Sequence, residues 1–109
     1  MRIWDIPAGK LCRNHLLGEH RELHAIWSVI IKRKKGYSRH PETLRWKGKL
    51  AALYLRHSML VDEMSARGYR HQSALSKKYA VGARKQTVFI DSVKRQAEIL
   101  RNKHCGCNV

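Results

Sequence analysis

Two long stretches of this chain place apolar residues at intervals of three and four. The first runs from about Lys10 to Lys35 and carries Leu16, Leu23, Ile26, Trp27, Ile30 and Ile31. This is the repeat of one helix face, not the strict alternation of a half-buried strand. It closes on Lys32-Arg33-Lys34-Lys35-Gly36, with cations at the negative end of the helix dipole and a glycine beyond them. The second stretch carries Leu50, Leu53, Tyr54, His57, Leu60, Val61 and Met64 on one stripe and stops at Arg67-Gly68. Phe89, Val93, Gln96/Ala97 and Leu100 mark a third, shorter helix. Pro7-Ala8-Gly9 breaks the chain early and leaves a short arm. Residues 37–46, with His40-Pro41, read as a connecting loop, and residues 70–85 as a long basic loop with at most one helical turn. No alternating pattern, internal repeat or low-complexity segment appears. The pattern predicts an all-α fold, a compact three-helix domain with an N-terminal arm (residues 1–9) packed against the helices. The last residues, from about 100 to 109, are expected to fray.

With 109 residues the chain suffices for a single domain with a modest core. It carries 23 Lys+Arg against 8 Asp+Glu, a formal charge of +15, yet is 43% hydrophobic, enough to fold. Such an imbalance repels itself unless an anionic partner is present, either nucleic acid or an anionic membrane surface. The longest apolar run, Ala25 to Ile31, is too short to span a bilayer. Met-Arg-Ile-Trp-Asp is not the start of a secretory signal. Three cysteines (Cys12, Cys105, Cys107) are odd in number and poorly placed for a disulfide framework, so an intracellular, cytoplasmic setting is expected.

Counting back from Glu22 along the first helix, Gly18 lies one turn earlier and His15 nearly two. His15, Gly18, Glu22 and Ala25 share a face, with Arg21 flanking it and Asn14 at its edge. A histidine, a carboxylate and two very small residues do not make a packing stripe. They make either a solvated helix face or a concave polar site. The arm is short enough to fold back and bring the chain's own α-amine towards Gly18. An α-amine titrates at about 7.7 to 8.0, far below lysine, so a useful fraction is neutral and nucleophilic. The positive surroundings lower that value further, whereas Glu22 alone would raise it. Arg2 is too bulky for ordinary methionine removal, so the terminal nitrogen is expected to be that of Met1.

Arg2-Ile3, followed by Asn14-His15-Leu16-Leu17-Gly18-Glu19-His20-Arg21-Glu22-Leu23, resembles the pyrimidine-dimer DNA glycosylase and abasic-site lyase family of the phage endonuclease V type. The corresponding family segment is close to Gln-His-Leu-Met-Ala-Glu-Tyr-Arg-Glu-Leu. The family's nucleophile is a terminal α-amine immediately before Arg-Ile, the place Met1 holds here. Its catalytic carboxylate is the glutamate of Arg-Glu-Leu, here Glu22. The resemblance is closest from Met1 to about Ile31. It continues from Leu53 to Tyr69 through Arg56, Leu60, Glu63 and Arg67-Gly68-Tyr69. Two features depart from it: Ala25 stands where the phage-type enzymes carry arginine, and their aromatic, basic carboxyl-terminal tail is missing.

The resemblance implies that the Met1 nitrogen attacks C1′ of a damaged nucleotide, displaces the base and leaves an imine. Elimination of the 3′ phosphate then nicks the strand, with Glu22 stabilising charge on the sugar and moving protons. It also implies that Arg2 and Arg21 hold phosphates beside the lesion, with His15 and Asn14 as further phosphate or sugar contacts. The substrate would be duplex DNA containing a lesion or an abasic site, and a poorly stacked site is the easiest to open. Lys32 to Lys35, Arg84-Lys85, Lys94-Arg95 and Arg101/Lys103 offer further phosphate contacts, of which Lys85 and Lys94 are singled out. The alternatives are an abasic-site lyase of different lesion specificity and a non-catalytic basic DNA-binding protein on the same scaffold.

His104-Cys105-Gly106-Cys107 holds three potential metal ligands, but no second paired set lies upstream. Cys12 and His57 could join them only through a contact made by the fold. No metal and no cofactor are therefore expected, and the protein is expected to be a monomer without an obligate protein partner. His57 reads as a satisfied core histidine, Trp27 and Trp46 as packing residues, and Trp4 as an anchor for the arm. The connection between the first two helices is too long for a helix-turn-helix DNA reader.

Overall fold

The computed structural model describes residues 2–36, 38–70 and 74–109. Among these residues four helices form: α1 (Arg13–Ile31), α2 (Pro41–Trp46), α3 (Leu50–Ala66) and α4 (Val93–Asn102). Three-residue 3-10 turns occupy Ala8–Lys10 and Lys77–Tyr79. No strand forms among the described residues beyond an isolated bridge between Lys49 and Gly82. The fold is all-α. Among the described residues, no helix is long and apolar enough to cross a membrane.

α1 and α3 are the two helices legible in the apolar spacing, and they pack against each other. Leu16, Leu23, Ile26 and Trp27 of α1 are buried with Leu50, Leu53, Leu60 and Met64 of α3. Both end as their sequences direct, with one exception. At α3, Gly68 takes a left-handed φ of 82° and Tyr69 N–H donates back to the Met64 carbonyl at 2.8 Å. At α1 the left-handed residue is Arg33 (φ 51°), not the expected Gly36, and Lys34 N–H donates to Val29 O at 3.1 Å. The helix thus stops at Ile31, before the run of cations.

The segment read as a loop after Tyr37 contains a helix. Pro41 starts α2, where its missing N–H costs nothing, and the His40 ring nitrogen Nδ1 accepts from Glu42 N–H at 3.1 Å. At six residues α2 is too short to show a period. It nevertheless buries Glu42, Thr43, Arg45 and Trp46.

α3 begins without a side-chain cap at Lys49. The 81–83 segment supplies one from afar. The Val81 and Ala83 carbonyls accept from Ala51 and Ala52 N–H at 2.9 and 3.0 Å, and Ala83 N–H returns to Gly48 O at 3.0 Å. Gly82 (φ 87°) lies so close that a Cβ there would stand 2.2 Å from the Gly48 oxygen.

The arm forms part of the core. Ile3, Trp4 and Ile6 are buried, and Leu100 of α4 closes the same cluster. Phe89 and Val93, taken as markers of the third helix, are exposed, because α4 begins only at Val93 with Ser92 accepting from Arg95 N–H. The tail, expected to fray, makes contacts with the rest of the fold. Asn108 N–H donates to Lys10 O at 2.7 Å, Arg101 Nε donates to Val109 O at 3.3 Å, and Cys107 and Val109 pack against the core.

Candidate active site beside the amino-terminal arm

Three successive backbone N–H groups of the arm are each accepted by a buried side chain from a different helix. Ile3 N–H donates to Glu42 Oε1 of α2 at 3.2 Å, and Trp4 N–H to Glu19 Oε1 of α1 at 3.0 Å. Asp5 N–H donates to Gln96 Oε1 of α4 at 2.8 Å. Buried backbone donors must find acceptors, and no strand is available to supply them. Helix side chains do so instead and fix the direction of the arm residue by residue.

The two glutamates are held in turn by arginines, Arg45 buried and Arg56 nearly so. Arg56 of α3 grips Glu19 through Nε and Nη2 at 2.6 and 3.0 Å, a two-point pair that also ties α3 to α1. Burial pushes the Glu19 carboxyl up from its ordinary value, against the pull of Arg56 and the Trp4 N–H. Arg45 pairs with Glu42 and Asp5 at 2.6 and 3.1 Å and donates to the Ile3 and Val88 carbonyls. Glu42 Oε1 also accepts from Trp46 Nε1 at 3.1 Å.

The pinned arm and α1 enclose an open polar recess of about 230 Å³, lined by Arg2, Trp4, Asn14, His15, Gly18, Glu19 and Glu22. The helix face read from the sequence is therefore concave where the arm crosses it. Gly18 has open space where a side chain would begin. Trp4 forms a buried wall, its ring edge-on to His15 at 5.6 Å, while the Arg2 guanidinium lies 4.6 Å from its centroid. Arg2 also forms an ion pair with Asp91. Burial, with Lys103 nearby, holds His15 below the ordinary histidine value, favouring the neutral ring.

Among the described residues, six of the eight acids form ion pairs: Asp5, Glu19, Glu42, Glu63, Asp91 and Glu98. Glu22 and Asp62 do not, and Glu22 is the one in the recess. In so basic a molecule, a carboxylate that makes no ion pair among the described residues and faces a polar hollow is a candidate for work on something else.

Arg2, Asn14, His15 and Glu22 thus come together as the sequence suggested. Arg21 and Ala25 are exposed and do not line the recess, nor do the exposed Lys85 and Lys94. Met1 lies outside the described residues. Trp27 and Trp46 are buried packing residues. His57 is buried as expected, its Nε2 lying 3.2 Å from His24 Nε2.

Sequence reasoning missed Glu19, Glu42, Arg45, Arg56 and Gln96. Two of them carried a signal. Glu19 falls on the apolar stripe between Leu16 and Leu23, and Arg56 on the stripe between Leu53 and Leu60. An acid inside one apolar stripe and an arginine inside another mark a buried pair.

A strongly basic all-α domain whose arm and first helix enclose a hollow holding a carboxylate with no ion pair among the described residues has the outline of a small enzyme acting on a polyanion. A family model described as pyrimidine dimer DNA glycosylase matches residues 1–77. The chain belongs to that family, and with it to the DNA repair glycosylases, whose substrate is damaged DNA. No curated protein and no solved structure matches the chain. Residues 78–109, including α4 and both tail cysteines, lie beyond the matched region.

Proposed function

We propose that the recess receives the sugar of a damaged nucleotide, and that the protein removes the base and then cleaves the strand. The α-amine of Met1 is the nucleophile. Its lone pair forms a bond to C1′ as the bond from C1′ to the base breaks, and the base leaves with that electron pair and takes up a proton. The sugar ring then opens: the nitrogen lone pair forms the C1′=N bond as the C1′–O4′ bond breaks, O4′ takes up a proton, and the resulting protonated imine draws electrons from C2′. Loss of the C2′ proton then expels the 3′ phosphate, and water releases the enzyme. Glu22 stabilises the positive charge on the sugar and carries the protons of ring opening and elimination. Arg2 exchanges Asp91 for a phosphate when DNA binds, and Arg21, His15 and Asn14 line the approach.

The observation that supports this best is the position of Glu22. Among the described residues it is the acid without an ion pair in a hollow bounded by Arg2 and Trp4, and the arm beside it is pinned at Ile3 and Trp4. The test is incubation with a duplex containing an abasic site in the presence of borohydride. A covalent adduct should form and map to the amino-terminal peptide. Glu22→Gln should still bind DNA but turn over about 10² or more slower, and a residue added before Met1 should abolish trapping. No adduct from a protein with an unblocked terminus would overturn the lyase reading. An adduct on a lysine side chain would overturn the role of Met1. Comparing ultraviolet-irradiated with unirradiated duplex tests whether pyrimidine dimers are the lesion.

A further inference from the structure

Four ligand-type atoms from the two ends of the chain converge next to the recess. Cys12 Sγ, His15 Nδ1, Cys105 Sγ and Cys107 Sγ all lie within 4.8 Å of one another. We propose that they form a closed, structural zinc site.

The separations fit a single cation. A tetrahedral zinc with bonds of about 2.3 Å to sulfur and 2.0–2.1 Å to nitrogen puts two sulfurs about 3.8 Å apart, and a sulfur and a nitrogen about 3.6 Å apart. Here Cys105 and Cys107 Sγ are 3.4 Å apart, and His15 Nδ1 is 3.0 Å from Cys12 Sγ and 3.5 Å from Cys107 Sγ. Hydrogen bonding explains this arrangement less well. A neutral Nδ1 has either one proton or one lone pair, so it cannot serve two sulfurs in separate directions. Disulfide formation does not explain it either, since none of the three cysteines is bonded to another.

The backbone is shaped for the purpose. Cys12 is the N-cap of α1 but makes no side-chain capping bond, and His15 follows one turn later. The other pair sits where the tail leaves α4. His104 (φ 50°) and Gly106 (φ 95°) are both left-handed, a tight knuckle that brings Cys105 and Cys107 to the same side. Cys12 N–H donates to Cys107 Sγ at 3.1 Å, as backbone donors do to a sulfur carrying negative charge. Three soft sulfurs and one imidazole select zinc among available divalent ions, and four protein ligands leave no open position for catalysis. The sequence offered Cys-x-x-His and Cys-x-Cys ninety residues apart. Only the docking of the tail brings them together as one set. The site would fix His15 in the recess wall.

A separate convergence lies between α1 and α3. His20 and His24, one turn apart, meet His57 with one ring nitrogen of each within 4.8 Å of the others. His24 Nε2 is 3.2 Å from each of the others, against about 3.3 Å for two nitrogens on one tetrahedral zinc. The geometry points to a second divalent transition-metal site, held by nitrogen alone among the described residues.

The experiment uses the full chain without a polyhistidine tag, purified under reductant. Elemental analysis should find zinc. Replacing zinc with cobalt(II) should give thiolate-to-cobalt charge-transfer and tetrahedral d–d bands. Cys107→Ser and Cys12→Ser should lose these bands and one metal equivalent per chain. His20→Asn should lose a different equivalent and keep the thiolate bands. The sulfur site is overturned if cobalt-treated wild type shows no thiolate bands. It is also overturned if all three thiols react with a thiol reagent equally fast with and without zinc, or if Cys105 and Cys107 are found as a disulfide. The histidine site is overturned if His20→Asn leaves metal content and spectrum unchanged. The wild-type spectrum and thiol reactivity decide the sulfur site even where a cysteine variant fails to fold.

Discussion

Glu19 and Glu22 sit three residues apart on α1, and their surroundings separate them. Glu19 is enclosed, gripped by Arg56 and bonded to the Trp4 N–H, while Glu22 faces the recess with no ion pair among the described residues. Glu19→Ala would leave Arg56 nearly buried without its counter-charge, a loss of about 3–5 kcal/mol. Glu22→Ala at the recess surface should change stability by less than about 0.5 kcal/mol. Urea unfolding of the two variants, followed by helical circular dichroism, checks the contrast. The sequence made Glu22 visible because it shares a face with His15 and Gly18, a relation local to one helix. Glu19 has partners 15 residues back and 37 residues ahead. No local spacing names such partners, although an acid on an apolar stripe signals that one exists.

Elements long enough to repeat were the legible ones. α1 and α3 each run more than four turns, and their burial pattern follows the apolar spacing. α2 is less than two turns long, so it could be inferred only from His40-Pro41-Glu42 as a start signal. The N-terminus of α3 had no local sign at all, because its cap is the backbone of residues 81–83. That arrangement depends on Gly82, where a side chain would need both a left-handed backbone and the space held by the Gly48 carbonyl. Gly82→Ala should therefore destabilise by at least about 1–3 kcal/mol. Gly36→Ala, in open space, should stay within about 0.5 kcal/mol. Thermal denaturation of the pair distinguishes a required glycine from an incidental one.

For the whole molecule, composition already indicated an anionic partner, and the ion pairs show how little of the positive charge is neutralised internally. Six acids are consumed by arginines inside the fold or on its surface, leaving nearly all the lysines for solvent or phosphate. Six to ten phosphate contacts would weaken DNA binding by about 10³ to 10⁵ between 50 and 200 mM salt. Lys85→Ala and Lys94→Ala should each lower affinity evenly across sequences and reduce the salt slope by about one. Fluorescence anisotropy across a salt series measures both; an unchanged slope would place those lysines off the DNA path. The same wide spacing that separates Cys12 and His15 from the tail cysteines also orders events in time. The arm leaves the ribosome before any helix, yet its acceptors lie at positions 19, 42 and 96, the last 91 residues behind Asp5. A segment with such distant partners cannot settle until nearly the whole chain has emerged. The arm is therefore seated late, and the recess it walls is complete only once α4 is in place.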